Sequence, residues 1–332
     1  MGMDTCIIAE IGSVHDGSLG NATRLIDAAA ECGVNAVKFQ THIAPAETLP
    51  DAPMPPFFQG EPRYAYFERT GFTRKQWQAL KAHCEENNVE FLSSPFSIEA
   101  VELLEELGIS QYKIPSGEVT NLPLLGVVAK SGKPVLLSSG MSSWAELDIA
   151  VEILTQHHND VTILQCTTEY PCEYQHVGLN VMLEMKERYK LPVGLSDHTA
   201  TIYASLAAVT LGASVIEKHF AFSRKMYGSD AKHSLEPAGF ADLVNGIRTI
   251  ELMMNNPVDK SDNNRFKEMK DIFEKSLVAL VDITLGETIN PEMIGAKKPG
   301  TGMATAKLSQ VVGHVAARSI KAHSLITEED IQ

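Results

Sequence analysis

Cysteine is scarce in this chain: 332 residues carry five, Cys6, Cys32, Cys84, Cys166 and Cys172, an odd number with no CxxC pair. That count and spacing argue against a disulfide framework and against a thiolate zinc site. No run of 18 apolar residues occurs, so no membrane span is expected. The first residues, MGMDTCIIAEIG, lack the basic segment and long apolar run of a signal peptide, so the expected location is the reducing cytoplasm. Positive charge is also in the minority: 28 Lys+Arg against 42 Asp+Glu leaves −14. Such a surface argues against a nucleic-acid partner or an anionic membrane, but not against a small anion in a locally basic pocket. Neither GxGxxG nor GxxxxGK[ST] follows an early apolar run, which argues against an open nucleotide-binding sheet.

What is present is a repeating grammar. Eight short β-rich runs recur at 6–11, 36–41, 90–94, 111–116, 134–139, 161–167, 192–197 and 214–220. Between them lie segments with apolar residues at helical spacing, among them 21–32, 98–107, 145–154 and 201–211. Gly33, Gly108, Gly132 and Gly212 stand where helices should stop. Strand, helix and glycine repeated eight times over about 250 residues predicts an α/β fold, a (β/α)8 TIM barrel. An insert at 42–70 holds Pro45, Pro50, Pro53, Pro55, Pro56 and Pro62 and several aromatics. Its place after the second strand predicts a lid or substrate-side wall at the catalytic face. Residues 1–255 are read as the catalytic barrel and 256–276 as a polar linker with a short helix. Residues 277–332 form a small β-rich domain with short β-branched runs separated by glycine turns.

In a barrel the carboxyl ends of the strands build the site. Read in order they are Glu10; Lys38 and Gln40; Ser94; Lys113, Ser116 and Glu118; Ser138; Thr167 and Thr168; Ser196, Asp197 and His198; Glu217 and His219. Lys38 and Lys113 lie inside β-runs, where lysine is disfavoured unless paired. The partner is a phosphate or carboxylate, held by ammonium groups and serine hydroxyls, or an internal ion pair with Glu10 or Glu118. His198 and His219 end neighbouring strands and could share one divalent ion; acid–base or structural roles remain open at this spacing.

These residues lie in runs that carry a family resemblance. IAEIGSVHDGSLGNA, AVKFQTH, FLSSPFS, YKIPSGE, LLSSGM, GLSDHT and IEKHF resemble the sialic acid synthase (N-acetylneuraminate synthase) family. The tail, with KPGTG and ITEEDI, resembles its antifreeze-like (SAF) domain. The resemblance implies condensation of phosphoenolpyruvate with an N-acylated amino sugar, N-acetylmannosamine first, to a nine-carbon 2-keto acid and phosphate. Legionaminic and pseudaminic acid synthases share the plan. It implies His198 and His219 as ligands of Mn2+, with Mg2+ or Co2+ as alternatives. Lys38, Ser94, Lys113, Ser116, Ser138 and Ser196 are implied phosphoenolpyruvate contacts, and Thr168 stands near that ligand. Glu10, Gln40, Tyr170, Glu217 and Asp230 are implied sugar or catalytic contacts, with Glu118 beside the reacting carbons. A domain-swapped homodimer is implied, each tail reaching the partner's site.

Three departures stand out. Val14 replaces an asparagine of the family's NHNG stretch, and Gly228-Ser229-Asp230-Ala231 replaces GPDH. Lys298 replaces the tail arginine that binds the sugar's N-acyl group in relatives, keeping the charge but losing the planar fork. Glu10 or Glu118 would activate water in this chemistry. Two other classes fit parts of the pattern: an aldolase forming a Schiff base on Lys113 or Lys38, and a non-enzymatic carbohydrate-binding protein suggested by the tail alone.

Overall fold

The computed structural model describes residues 4–54, 60–157 and 160–332. Eight parallel strands, β1 (Cys6–Gly12), β2 (Ala36–Thr41), β3 (Glu90–Pro95), β4 (Tyr112–Ile114), β5 (Val135–Ser138), β6 (Val161–Cys166), β7 (Val193–Asp197) and β8 (Val215–His219), form one sheet. Their order is β3-β2-β1-β8-β7-β6-β5-β4, and β3 and β4 at its ends lie side by side. The result is a nearly closed (β/α)8 barrel.

The alternation of each strand separates two cores. Outward residues such as Ile7, Val37, Phe91, Leu137, Ile163 and Ile216 pack under the helices. Inward residues Ile8, Ala36, Leu92, Leu136, Leu164 and Val215 fill the barrel as an apolar plug. Two residues further along, the same inward positions become Glu10, Lys38, Ser94, Ser138, Cys166 and Glu217. The polar layer therefore sits directly above the plug, at the carboxyl ends of the strands.

The helices follow the expected spacing. Leu19–Glu31 buries Ala22, Leu25, Ile26 and Ala29 and starts from a Ser18 cap. Ile98–Leu107 starts from Ser97 and stops at Gly108, which takes a left-handed conformation (φ 66°). Trp144–Thr155 opens with a Ser143/Glu146 capping box. Strand β4 is shorter than its expected run of 111–116. Pro115 has no N–H for the ladder, and a turn at Ser116–Glu118 follows it. The insert after β2 contains the helices Ala44–Glu47 and Arg63–Thr70, followed by Arg74–Glu86; Pro55 and Pro56 lie outside the described residues.

The chain divides into two compact units, the first ending at Asn256 and the second running from Pro257 to Gln332. In the second, β9 (Ser276–Ala279) pairs antiparallel with β10 (Ile294–Lys297). Regular strand is limited to that pair, and isolated bridges such as Ile283–Ile320 hold the rest. Leu277, Ile283, Ile289, Ile294, Val311, Ala316, Ile320 and Ile326 give this unit its own core. Among the described residues no helix is long and apolar enough to cross a membrane.

Candidate active site

A cavity of about 270 Å3 opens at the carboxyl ends of the barrel strands. It is lined by Glu10, Lys38, Gln40, Lys113, Ser116, Ser138, Thr168, Tyr170, Ser196, His198, Glu217, His219 and Asp230, all singled out from sequence. Ser94, Glu118 and Lys298 are not in that lining. Ser94 sits behind it and accepts a hydrogen bond from Lys38 Nζ at 3.3 Å. Glu118 is turned toward Asn121, whose amide donates to it at 2.7 Å. Lys298 belongs to the second unit, where its ammonium lies 4.9 Å from the Phe273 ring centre. Asp197, read as a strand end facing the site, points the other way: it follows Ser196 on β7, and its carboxylate pairs with Lys218 at 2.9 Å.

The floor of the cavity is a cluster of two ammonium groups and two carboxylates. Lys38 Nζ lies 2.6 Å from Glu10 Oε2 and 3.7 Å from Glu217 Oε2. Lys113 Nζ lies 3.2 Å from Glu217 Oε1, which also accepts from Ser196 Oγ at 2.9 Å. The lysines thus pair internally with Glu10 and Glu217, and Glu118 takes no part. Burial works against the Lys38 charge, but Glu10 and Glu217 outweigh it and hold its pKa above the lysine range. Burial prevails at Lys113, which has Glu217 in its favour and feels Lys38 against it, and its pKa is lowered. Burial raises both glutamates. At Glu217 the two lysines win and leave it at about 2; Glu10, with Glu217 nearby, rises to about 7. Two like charges in one cluster are driven apart in this way.

Above the cluster stand two imidazoles, ring centres 5.5 Å apart. His198 Nδ1 donates to the Thr167 carbonyl at 2.8 Å, so Nε2 is the nitrogen that could hold a metal. Burial holds His219 down at about 4, so it is neutral, and its Nδ1 is buried without a hydrogen-bond partner. Ser138 Oγ, also on the cavity wall, is likewise buried and unpartnered. Among the described residues no group of three His, Cys, Asp or Glu side chains converges as a metal site. Burial works against a charge on His198, but Cys166 outweighs it and raises the ring's pKa. With the proton on Nε2 displaced, the two rings fit a divalent ion that takes its other positions from oxygen ligands outside the chain, as an open catalytic site requires. Tyr170 stacks on His198 with centres 4.3 Å apart.

Two glycines make room for these groups. Gly12 (φ 54°) lies so close to Asp230 that a side chain there would strike the carboxylate; Gly140 (φ 36°) leaves the space that Ser116 occupies. Asp230 is held by the Ser13 N–H at 3.3 Å and by the Ser229 hydroxyl at 3.0 Å.

Sequence reasoning missed one wall. His42, Met54, Arg63, Tyr66, Phe67, Phe96, Met141 and Cys166 also line the cavity. Two signals were available. His42 extends the alternation of Lys38 and Gln40, and Cys166 extends that of Leu164. Arg63 and Phe67 are four apart on a helix and so share a face. Their place on the insert makes it a wall of the cavity.

Comparison with known proteins agrees with this geometry. Residues 25–259 match the model of the NeuB family and residues 274–332 that of the SAF domain. The chain is 39% identical over 332 residues to an N,N'-diacetyllegionaminic acid synthase of Campylobacter jejuni, covering 98% of this chain and 99% of that protein. It is 32% identical to a pseudaminic acid synthase of Helicobacter pylori, covering 98% and 97% of the two. A solved structure of an N-acetylneuraminic acid (sialic acid) synthetase from Leptospira borgpetersenii superposes with a TM-score of 0.71 at 32% identity, covering 80% of this chain and 90% of that one. With one family matched across most of the barrel and a second domain matched across the tail, the chain belongs to the NeuB family, whose relatives here are synthases of sialic, legionaminic and pseudaminic acids.

Proposed function

We propose that this chain joins phosphoenolpyruvate to the aldehyde carbon of an open-chain N-acylated amino sugar, giving a nine-carbon 2-keto sugar acid and phosphate. One observation carries the reading: two buried lysines and two imidazoles share a single cavity. Lys38, Lys113 and Ser138, with Ser116, Ser196 and Thr168 around them, hold the phosphate and carboxylate of phosphoenolpyruvate. Gln40, Tyr170 and Asp230 orient the sugar, so that the two substrates meet in one geometry, an effect worth about 7–11 kcal/mol when alignment is good. C3 of the enol ester bonds to the aldehyde carbon, water adds at C2, and the C2–O bond to phosphate breaks. Glu10 handles the water's proton in this reading, because Glu118 lies outside the lining. A divalent cation on His198 and His219, Mn2+ first and Mg2+ or Co2+ as alternatives, supplies Lewis-acid polarisation when bound.

Among the sugars, we place one carrying two acetamido groups ahead of N-acetylmannosamine. The support is the 39% identity to a diacetyllegionaminic acid synthase and the wall of Phe67, Phe96, Met141 and Arg63, apolar surface for acyl methyls with one guanidinium for a carbonyl. In the same proposal the chain works as a homodimer, and the tail of a second copy brings Lys298 to the sugar. One observation favours another reading: Lys113 is depressed by burial, as a Schiff-base lysine must be. Borohydride with pyruvate separates the two, since the synthase forms no imine and stays active. The direct test is phosphate release from phosphoenolpyruvate with Mn2+ and either sugar, followed by product mass. Release with the diacetamido sugar is expected; none with any amino sugar would sink the proposal.

A further inference from the structure

His42 has no role in the reaction as set out above, yet its surroundings specify its charge. Its Nδ1 lies 2.7 Å from Glu47 Oε1, and its Nε2 lies 3.1 Å from Gln40 Oε1. The Gln40 amide nitrogen in turn donates to Glu10 Oε1 at 2.8 Å. A carbonyl oxygen and an ionised carboxylate are acceptors, so beside an ionised Glu47 both ring nitrogens donate and the ring carries two protons. Turning the Gln40 amide over lets its NH2 meet a neutral His42, but then its carbonyl faces Glu10, two acceptors in contact unless Glu10 takes a proton. The proton count is the same in each case: two on His42, or one on His42 and the other on Glu10 or Glu47.

The packing favours the first arrangement. The ring lies between Phe67 and Phe96, centres 3.6 and 4.1 Å away and nearly parallel, so two aromatic faces meet the cation. Glu47 is fixed by the Ile43 N–H at 3.2 Å, and both side chains of the pair are buried. The other charged groups around the ring are few. Glu118 reinforces the negative field of Glu47, Arg63 stacks on Phe67 at 5.2 Å and opposes the cation, and burial holds His15 neutral at about 4.

We propose that His42 is a positioning residue: clamped by Glu47 as an imidazolium, it holds the Gln40 carbonyl away from Glu10 and the Gln40 NH2 toward it. The charge of one ring beside the reacting cluster thereby fixes the amide that presents itself to substrate. The inference rests on the proposed function only where Gln40 is taken as a sugar contact.

The test uses the full chain labelled with 15N-histidine, with the His42 signals identified by their loss in His42→Gln. At pH 7 the wild-type ring is expected to show protons on both nitrogens. In Glu47→Gln it should show one, and the sugar KM should rise about tenfold, the worth of one well-made hydrogen bond, while the phosphoenolpyruvate KM holds. A singly protonated wild-type ring overturns the inference, and so does loss of a proton in Glu47→Gln with no change in sugar KM. A doubly protonated ring in an enzyme inert toward every amino sugar would support the ring assignment and sink the functional reading instead.

Discussion

Together, strands β7 and β8 carry buried polar and charged groups on both faces, and the two faces differ in kind. Outside the barrel, Lys218 Nζ pairs with Asp197 Oδ2 at 2.9 Å and donates to the Thr199 carbonyl at 2.8 Å. Asp197 also accepts from the Thr199 N–H at 2.8 Å and the Ser205 hydroxyl at 2.6 Å. That cluster is sealed and closed on itself. Inside, one residue along each strand, Ser196 and Glu217 join Lys113, Lys38 and Glu10 at the cavity floor, with Ser138 Oγ and His219 Nδ1 unpartnered above. A buried charge whose every atom is used holds structure together. A buried charge beside unused polar atoms and open volume is arranged for something that arrives. Register separates the two: a step of one residue along β8 moves from Glu217 to Lys218 and from one cluster to the other.

The comparison breaks most visibly at the sealed pair. Asp197→Ala leaves an ammonium buried without its partner and should cost about 3–5 kcal/mol in denaturant unfolding. A loss under about 1 kcal/mol would erase the distinction. The open cluster should respond in turnover instead. Lys113→Met removes a charged donor aimed at the reacting groups and should lower kcat/KM by about 10²–10³-fold, with a stability change well below that of Asp197→Ala. If Lys113→Met unfolds the protein as readily as Asp197→Ala, the inner cluster is structural too.

A carboxylate outside both clusters calibrates the acid response of closed sites. Glu251 accepts from the Thr5 N–H at 2.5 Å and from Arg248 at 2.9 Å. Burial raises its pKa, and these bonds outweigh that and hold it below the usual range. A depressed carboxylate stabilises the fold above its unfolded pKa of about 4.3, and the benefit fades as pH falls through the lower folded value. Glu251→Gln should therefore be less stable than wild type by roughly 1–2 kcal/mol at pH 7, with the gap narrowing below pH 4. Equal gaps at pH 7 and pH 3, by urea unfolding, would contradict the assignment. The smallest effect is expected at the tail, where Lys298→Ala should raise sugar KM several-fold and leave phosphoenolpyruvate KM unchanged, as steady-state kinetics would read.

Much of this was legible in the chain. Short β-rich runs between segments of helical spacing located the strands, and the polar residue at each strand end marked the inner cluster, because both follow from local pattern. Three things were not. Asp197 was read as a site residue because strand ends were taken without parity, although Ser196 and His198 on either side already claimed the inner face. Glu118 was placed with the reacting groups, but the turn after Pro115 carries it to Asn121, a partner only three residues further along. The pairing of Lys113 with Glu217 joins β4 to β8 across the barrel, and no local pattern reports which partners face one another there. The wall of Arg63, Phe67 and Phe96 was half-visible as an aromatic-rich insert, and only folding brought it to the cavity.

The central claim is that the inner cluster is built to receive an anion. Isothermal titration of phosphoenolpyruvate into the full-length protein tests it directly. Wild type and Lys298→Ala should bind with matching affinity, and Lys113→Met should bind at least about tenfold more weakly, as loss of one charged contact requires. Equal affinity in wild type and Lys113→Met, with both proteins folded, would contradict it.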